Sequence, residues 1–241
     1  VEMQIKTVFG ITLLALLVSG CGGGDGDPLV SAVTGTVSTR GATSERVSGA
    51  TVAVYGTELS TTTNDAGEFA LQDVPHGDVF FVSQASGNWG TVDYYYVPEE
   101  TSGLIIDLGV IPDAEINAVA SALGRTLSPS DGIVDLVFYP FEEGVPGAQG
   151  GETASISAPS DPSFTFDLAG NPVEQAGVIA DAEGYGDLIY TSIATDDGPI
   201  TAEVMGLDGV TSCDIEETPG ITYPILEKSL TFVYAYCAPA P

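Results

Sequence analysis

Val47 to Val82 reads VSGATVAVYGTELSTTTNDAGEFALQDVPHGDVFFV. Thr51-Val52-Ala53-Val54-Tyr55 alternates as a half-buried strand does, and Gly56 ends it. Ser60-Thr61-Thr62-Thr63 is a polar, β-branched strand. Asn64-Asp65-Ala66-Gly67 reads as a turn, because an Asx side chain can bond the backbone just ahead and glycine accepts positive φ. Glu68-Phe69-Ala70-Leu71 restarts a strand with Phe69 and Leu71 on one face. Asp73-Val74-Pro75-His76-Gly77 is a second turn, and Val79-Phe80-Phe81-Val82 a short buried strand. Short strands joined by tight turns predict an antiparallel β-sandwich.

Three motifs add a resemblance. They are Gly49-Ala50-Thr51-Val52-x-Val54, then Thr63-Asn64-Asp65-x-Gly67-x-Phe69, then Leu71-x-Asp73-Val74-Pro75-x-Gly77. Together they resemble the carboxypeptidase regulatory-like family, over roughly Ser31 to Pro112. The resemblance implies a transthyretin-like (prealbumin-like) β-sandwich in which these residues are turns and core. It also implies a non-catalytic accessory or surface module.

Outward toward the start, Val33 to Val37 is the first strand and Gly41 to Val47 a polar hairpin loop. Gly22 to Pro28 is a flexible, Gly/Asp-rich tether. Val8 to Val18 is an apolar run of eleven residues, shorter than the roughly 20 that a spanning helix needs. With Lys6 before it and Ser19-Gly20 after it, the run reads as a secretory signal peptide, with Met3 the expected initiator. Val18-Ser19-Gly20-Cys21 resembles a lipobox, the signal of bacterial lipoproteins. That implies cleavage before Cys21, lipidation of its thiol and anchoring to a membrane through the lipid. Gly22, rather than Asp, follows the cysteine and points to the outer membrane or cell surface.

Toward the end, Leu104 to Val110 closes the first sheet. Pro112 to Gly124 is the one helical stretch, with Ile116, Val119, Ala120 and Leu123 at helical spacing and Asp113 placed to cap it. Beyond it the chain reads as a looser second copy. Gly132 to Phe138 answers the first strand, Val145-Pro146-Gly147-Ala148 answers Val47 to Ala50, and Asp181 to Tyr185 answers Asn64 to Phe69. Asp196 to Ile200 answers the Val-Pro-His-Gly turn, and Ser163 to Pro172 is an insertion with its own strand and turn. The expected organisation is a signal peptide (1–20), a tether (21–30), a first sandwich (31–112), a connecting helix (113–124) and a divergent second sandwich (125–241). The fold class is therefore all-β, with two transthyretin-like sandwiches in tandem.

The 241 residues include 34 acidic and five basic ones, a net charge of -29. Such a surface is not drawn to nucleic acid or to anionic lipid. Cys213 and Cys237 are expected to pair in a disulfide once Cys21 carries lipid. The single histidine, His76, falls in a turn, where it is expected to be solvated. G-x-S-x-G, H-E-x-x-H, a P-loop and a dinucleotide-binding glycine motif are all absent from the sequence, so no enzyme and no cofactor is expected. Asp25 and Asp27 alternate as in a calcium loop but lack its terminal Glu.

Aromatics cluster at Trp89 and Tyr94-Tyr95-Tyr96, and these four are the candidate ligand surface. Gly87, Asn88 and Gly90 suggest a loop tip around Trp89. Strand alternation instead would put alternate tyrosines on the core and leave Tyr95 outward. The expected role is structural, adhesive or binding, with an envelope protein or a glycan as partner. Two alternatives are a carbohydrate-binding, starch-binding-like module built on the aromatics and calcium-dependent adhesion through carboxylates such as Asp196 and Asp197.

Overall fold

The structure is a computed structural model and describes residues 30–41, 44–99, 103–141, 147–215 and 220–240. The expected signal peptide, Cys21, Asp25 and Asp27, nearly all of the tether, and Val145-Pro146 lie outside the described residues.

The described residues are all-β with one short α-helix. The strands of its first half are β1 (Val30–Thr39), β2 (Thr51–Val54), β3 (Ser60–Thr62), β4 (Glu68–Pro75), β5 (Gly77–Gln84), β6 (Asn88–Val97) and β7 (Leu104–Pro112). Helix α1 (Asp113–Ala122) follows. Then come β8 (Asp131–Pro140), β9 (Thr153–Ile156), β10 (Phe164–Phe166), β11 (Pro172–Glu174), β12 (Gly186–Ala194), β13 (Ala202–Met205), β14 (Thr211–Ile215) and β15 (Ser229–Pro239).

In the first half, β1 pairs with β4 on one edge and β7 on the other, while β3, β2, β5 and β6 form the facing layer. Val33, Val37, Val52, Phe69, Phe81 and Leu108 meet between the layers as a sandwich core. Alternation does this: on β4, Phe69, Leu71 and Val74 point inward while Glu68, Ala70 and Gln72 are exposed. The expected second turn is narrower than its sequence suggests, since β4 runs to Pro75 and β5 starts at Gly77. His76 between them is half-buried, with Nε2 2.9 Å from the Ser31 hydroxyl, and is not the solvated turn residue expected.

The first turn follows the sequence closely, and it recurs. The Asn64 side-chain oxygen accepts from the backbone N–H of Ala66 (2.9 Å) and Glu68 (3.0 Å). Asp181 accepts in the same way from Glu183 (3.0 Å) and Tyr185 (2.9 Å), and Asp167 from Ala169 (2.9 Å) and Asn171 (2.8 Å). Each turn has a glycine at its fourth position with positive φ: Gly67 at 74°, Gly170 at 81° and Gly184 at 89°. The match between Asn64 and Asp181 was legible, and the Asp167 turn of the insertion is a third instance.

The two halves are not merely in series. β15 lies between β8 and β6 and pairs with both in parallel, so one sheet runs from β11 through β10, β12, β8, β15, β6, β5 and β2 to β3. Three ladders are parallel, those of β1 with β7 and of β15 with β6 and with β8. A purely antiparallel reading does not anticipate them. One face of β8, β12 and β15 carries a second core of Val134, Leu136, Phe138, Leu188 and Val233. The separate β9–β13 ribbon covers it through Ala154, Ile156, Ala202 and Val204. Thus β13 pairs with β9 and stands outside the main sheet.

The opposite face carries a third cluster that includes Ile133, Ile189, Leu230 and Trp89, packed by Ile116 and Val119 of α1 and by Leu123 just after it. A sheet covered on both faces needs continuous apolar strands, and Ile133 to Leu136 are all buried. The helix starts without the expected Asp113 cap. Pro112 holds the N-cap position with no side-chain bond, and the Asp113 carboxylate instead meets Lys228 Nζ at 2.9 Å. Cys213 and Cys237 stand directly opposite on β14 and β15 and are joined by a disulfide.

Candidate functional site

β15 changes partner along one edge. Its residues Ser229–Thr231 pair with β6, and Ile215 to Thr211 of β14 pair with Ala235–Pro239. Between these stretches the edge is open, and the continuation of β6 beyond Val92 carries Tyr94, Tyr95 and Tyr96. Tyr234 and Tyr236 project from one face of β15, Tyr139 near the end of β8 pairs with Tyr236, and Tyr185 comes from the Asp181 turn. These seven residues, of ten tyrosines in the chain, line a groove of about 520 Å³ with Pro140.

Four of the rings form a connected set. Tyr139 lies 5.7 Å from Tyr234, 6.1 Å from Tyr236 and 5.5 Å from Tyr185 between centroids. The planes tilt by 39° at Tyr234 and Tyr236, and Tyr185 stands edge-on at 89°. Tyr94 packs edge-on against Phe80, and its hydroxyl donates to Asp78 at 2.7 Å. The Tyr95 hydroxyl donates to the Asp107 carbonyl at 3.2 Å. Tyr96, 60% exposed, and Tyr185, 44% exposed, present the most open rings. Tyr95 packs against the first core, so Tyr96 is the outward residue rather than Tyr95.

A buried ion pair supports the groove from below. Arg40 Nη2 lies 2.7 Å from Asp93, which is 1% exposed and also accepts from Thr91 Oγ1 at 2.6 Å. The guanidinium sits 4.3 Å from the centre of the Phe232 ring, which stacks on Tyr234. It reaches there because residue 109 is glycine: a Cβ at that position would come within 2.2 Å of the Arg40 side chain. Burial pushes the Arg40 guanidinium down, but Asp93 and Tyr234 more than offset this and hold it above its ordinary value. Burial, with Asp93 next, pushes the Tyr95 phenol up to about 12 and raises that of Tyr234 as well. Both phenols are therefore neutral hydrogen-bonding groups near pH 7. Among the described residues the lining contains no carboxylate, imidazole, thiol or amine, and what they offer is ring stacking and phenolic hydrogen bonding.

Of the sequence candidates, Tyr94, Tyr95 and Tyr96 come together here and Trp89 does not. Trp89 is 4% exposed inside the third cluster. Its glycine neighbour marks tight packing rather than a loop tip, because a Cβ on Gly90 would lie 2.5 Å from the Ser83 carbonyl. Tyr139, Tyr185, Tyr234 and Tyr236 are the residues the sequence did not single out. Their only local signal is the Tyr234/Tyr236 alternation on a long strand. Asp196 and Asp197 are exposed in a 3-10 turn, and among the described residues no group of three or more His, Cys, Asp or Glu is arranged to hold a metal ion.

No protein-family model matches the chain, and no curated protein does. Among solved structures, the Bacillus anthracis TIE protein is similar at 14% identity and a TM-score of 0.29, over 86% of this chain and 34% of that one. The chain thus spans about a third of that protein's length. The shaft pilin SpaA from Lactobacillus rhamnosus GG is similar at 12% identity and a TM-score of 0.24, over 89% and 99%. A DUF3823 family protein from Bacteroides ovatus is similar at 13% identity and a TM-score of 0.26, over 73% and 89%. All three likenesses are remote, and none assigns a role.

Proposed function

We propose that this protein is a non-catalytic binding module of the cell envelope, and that its tyrosine groove takes a neutral glycan. The convergence of seven tyrosines from both halves of the chain carries the reading. Aromatic rings pack on the C–H faces of sugars, and phenols exchange hydrogen bonds with sugar hydroxyls. The net charge of -29 disfavours acidic polysaccharides, which leaves uncharged ones. The groove replaces the Trp89-centred surface as the place where a ligand would dock.

Titration with soluble neutral polysaccharides, followed calorimetrically, tests this. Tyr96→Ala and Tyr185→Ala lie in open positions and should each weaken binding by about tenfold, near 1.4 kcal/mol. Failure of every neutral glycan to bind, with an envelope protein captured instead from detergent-extracted membranes, would replace the glycan by a protein partner.

The module would be carried on lipidated Cys21 at the outer membrane or cell surface. Its carboxypeptidase regulatory-like sandwich would occupy 31–112, with a helix at 113–124 and a divergent second sandwich at 125–241. The lipobox residues Val18 to Cys21 and the three turn motifs support this. Labelling with a fatty acid that disappears in Cys21→Ala tests the anchor.

A further inference from the structure

A cavity of about 180 Å³ lies between α1 and the face of the sheet formed by β8, β10 and β12. Its walls are mostly apolar, with Ile116, Val119, Phe164 and Ile189 among them, and Glu115, Arg125, Asp135 and Thr191 are the polar residues in the lining. One of these four is buried with an unbonded oxygen. Asp135, on β8, lines the cavity, is 8% exposed, and its Oδ1 has no hydrogen-bond partner. Leaving a buried polar atom unpaired is costly, so an orphan of this kind calls for an occupant. Arg125, also in the wall, is already engaged, bonding the Pro162 carbonyl at 2.7 Å, Glu174 at 2.8 Å and Thr191 at 3.3 Å.

We propose that this cavity is a binding site for a small, uncharged molecule with a compact hydrocarbon body and one hydroxyl, the hydroxyl bonding to Asp135. Size sets the body: an apolar cavity of roughly 150 Å³ holds benzene. The wall sets the polarity, since most of it is hydrocarbon and Arg125 is already engaged. Asp135 sets the hydroxyl. A hydroxyl both donates and accepts, so it satisfies the Asp135 oxygen whichever oxygen bears a proton. A carboxylate ligand is disfavoured by Glu115 in the lining, by the engagement of Arg125 with Glu174, and by its own desolvation cost. The site is separate from the tyrosine groove and stands or falls independently of it.

Phenol, fluorobenzene and benzoate discriminate the elements of this site in the unmodified chain. The readout is the NMR shifts of the Val119 and Ile189 methyl groups. Phenol is expected to bind with a Kd of about 1 mM, a value within reach of a ligand of its size. Fluorobenzene, of similar shape without a donor, should bind about fivefold or more weakly, and benzoate not at all. Val119→Phe, which fills the space from the helix side, should abolish phenol shifts at Ile189. Asp135→Val should bring phenol and fluorobenzene to equal affinity. Absence of phenol shifts at both methyls, as with a cavity that holds only water, overturns the proposal. So does equal affinity for phenol and fluorobenzene in the unmodified chain.

Discussion

Burial pushes two carboxylates on one sheet face up, but their partners differ. Asp93 is held by Arg40 and Thr91, whereas Asp135 has an unbonded oxygen. Burial first, and then the nearby Asp187, push the Asp135 carboxyl well above the usual carboxylate range, with Arg40 pulling the other way. A carboxyl whose folded pKa is raised contributes stability below the unfolded pKa near 3.8 and loses it as pH rises toward the folded value. Asp135→Asn should therefore raise the melting temperature at pH 7, by about 3 °C per kcal/mol relieved, with the gain fading toward pH 4. Thermal melts of both forms across that range check it. At Arg40 the sign reverses. Arg40→Ala leaves Asp93 buried without its cation, and because Arg40 is itself about a third exposed, a loss of about 2 kcal/mol is expected in urea denaturation. Neither residue stood out in the sequence: an aspartate within a strand pattern reads as outward, and only the parallel seating of β15 beside β6 and β8 encloses these two.

Turns are the elements that the sequence specifies best, because a local side chain and a local glycine determine them. In the Asn64 turn, Gly67 has a φ of 74°, and a Cβ there would sit 3.0 Å from both the Val37 carbonyl oxygen and the Arg46 Cβ. Gly67→Ala should cost about 1–2 kcal/mol, more than the usual penalty for positive φ because the neighbours must also move. The same change at Gly170, which has positive φ but nothing within 4 Å, should cost less. Equilibrium denaturation of the two variants separates conformational strain from crowding. Helix α1 shows the opposite case. Its extent is close to that read from spacing, but its start is held by the Lys228–Asp113 contact, which no local pattern around residue 113 contains.

At the scale of the molecule, the third hydrophobic cluster joins the halves. Trp89 of β6 is buried there against Leu230 and Phe232 of β15 and Ile133 of β8. It is the sole tryptophan, so its fluorescence reports on the junction and on nothing else. Unfolding in urea should shift its emission in the same transition that removes the far-ultraviolet β signal, as expected when the halves open together. An earlier fluorescence transition would mean that β15 leaves β6 before either core melts.

Most strands of the first half, the Asn64 turn, helix α1, the all-β class and the Cys213–Cys237 pairing were readable from order along the chain. Period-two alternation, Asx–glycine turns and cysteine count are local properties, and each is satisfied within a few residues or by simple pairing. The placement of β15 between β6 and β8 is a contact between segments more than 90 residues apart, and nothing local encodes it. That one placement buries Trp89, which a glycine-flanked sequence put at a loop tip. It also opens the edge where Tyr94 to Tyr96 meet Tyr139, Tyr234 and Tyr236. The stretch from Val47 to Val82 builds the first sandwich, while the groove and the cavity beneath α1 come from tertiary pairing alone.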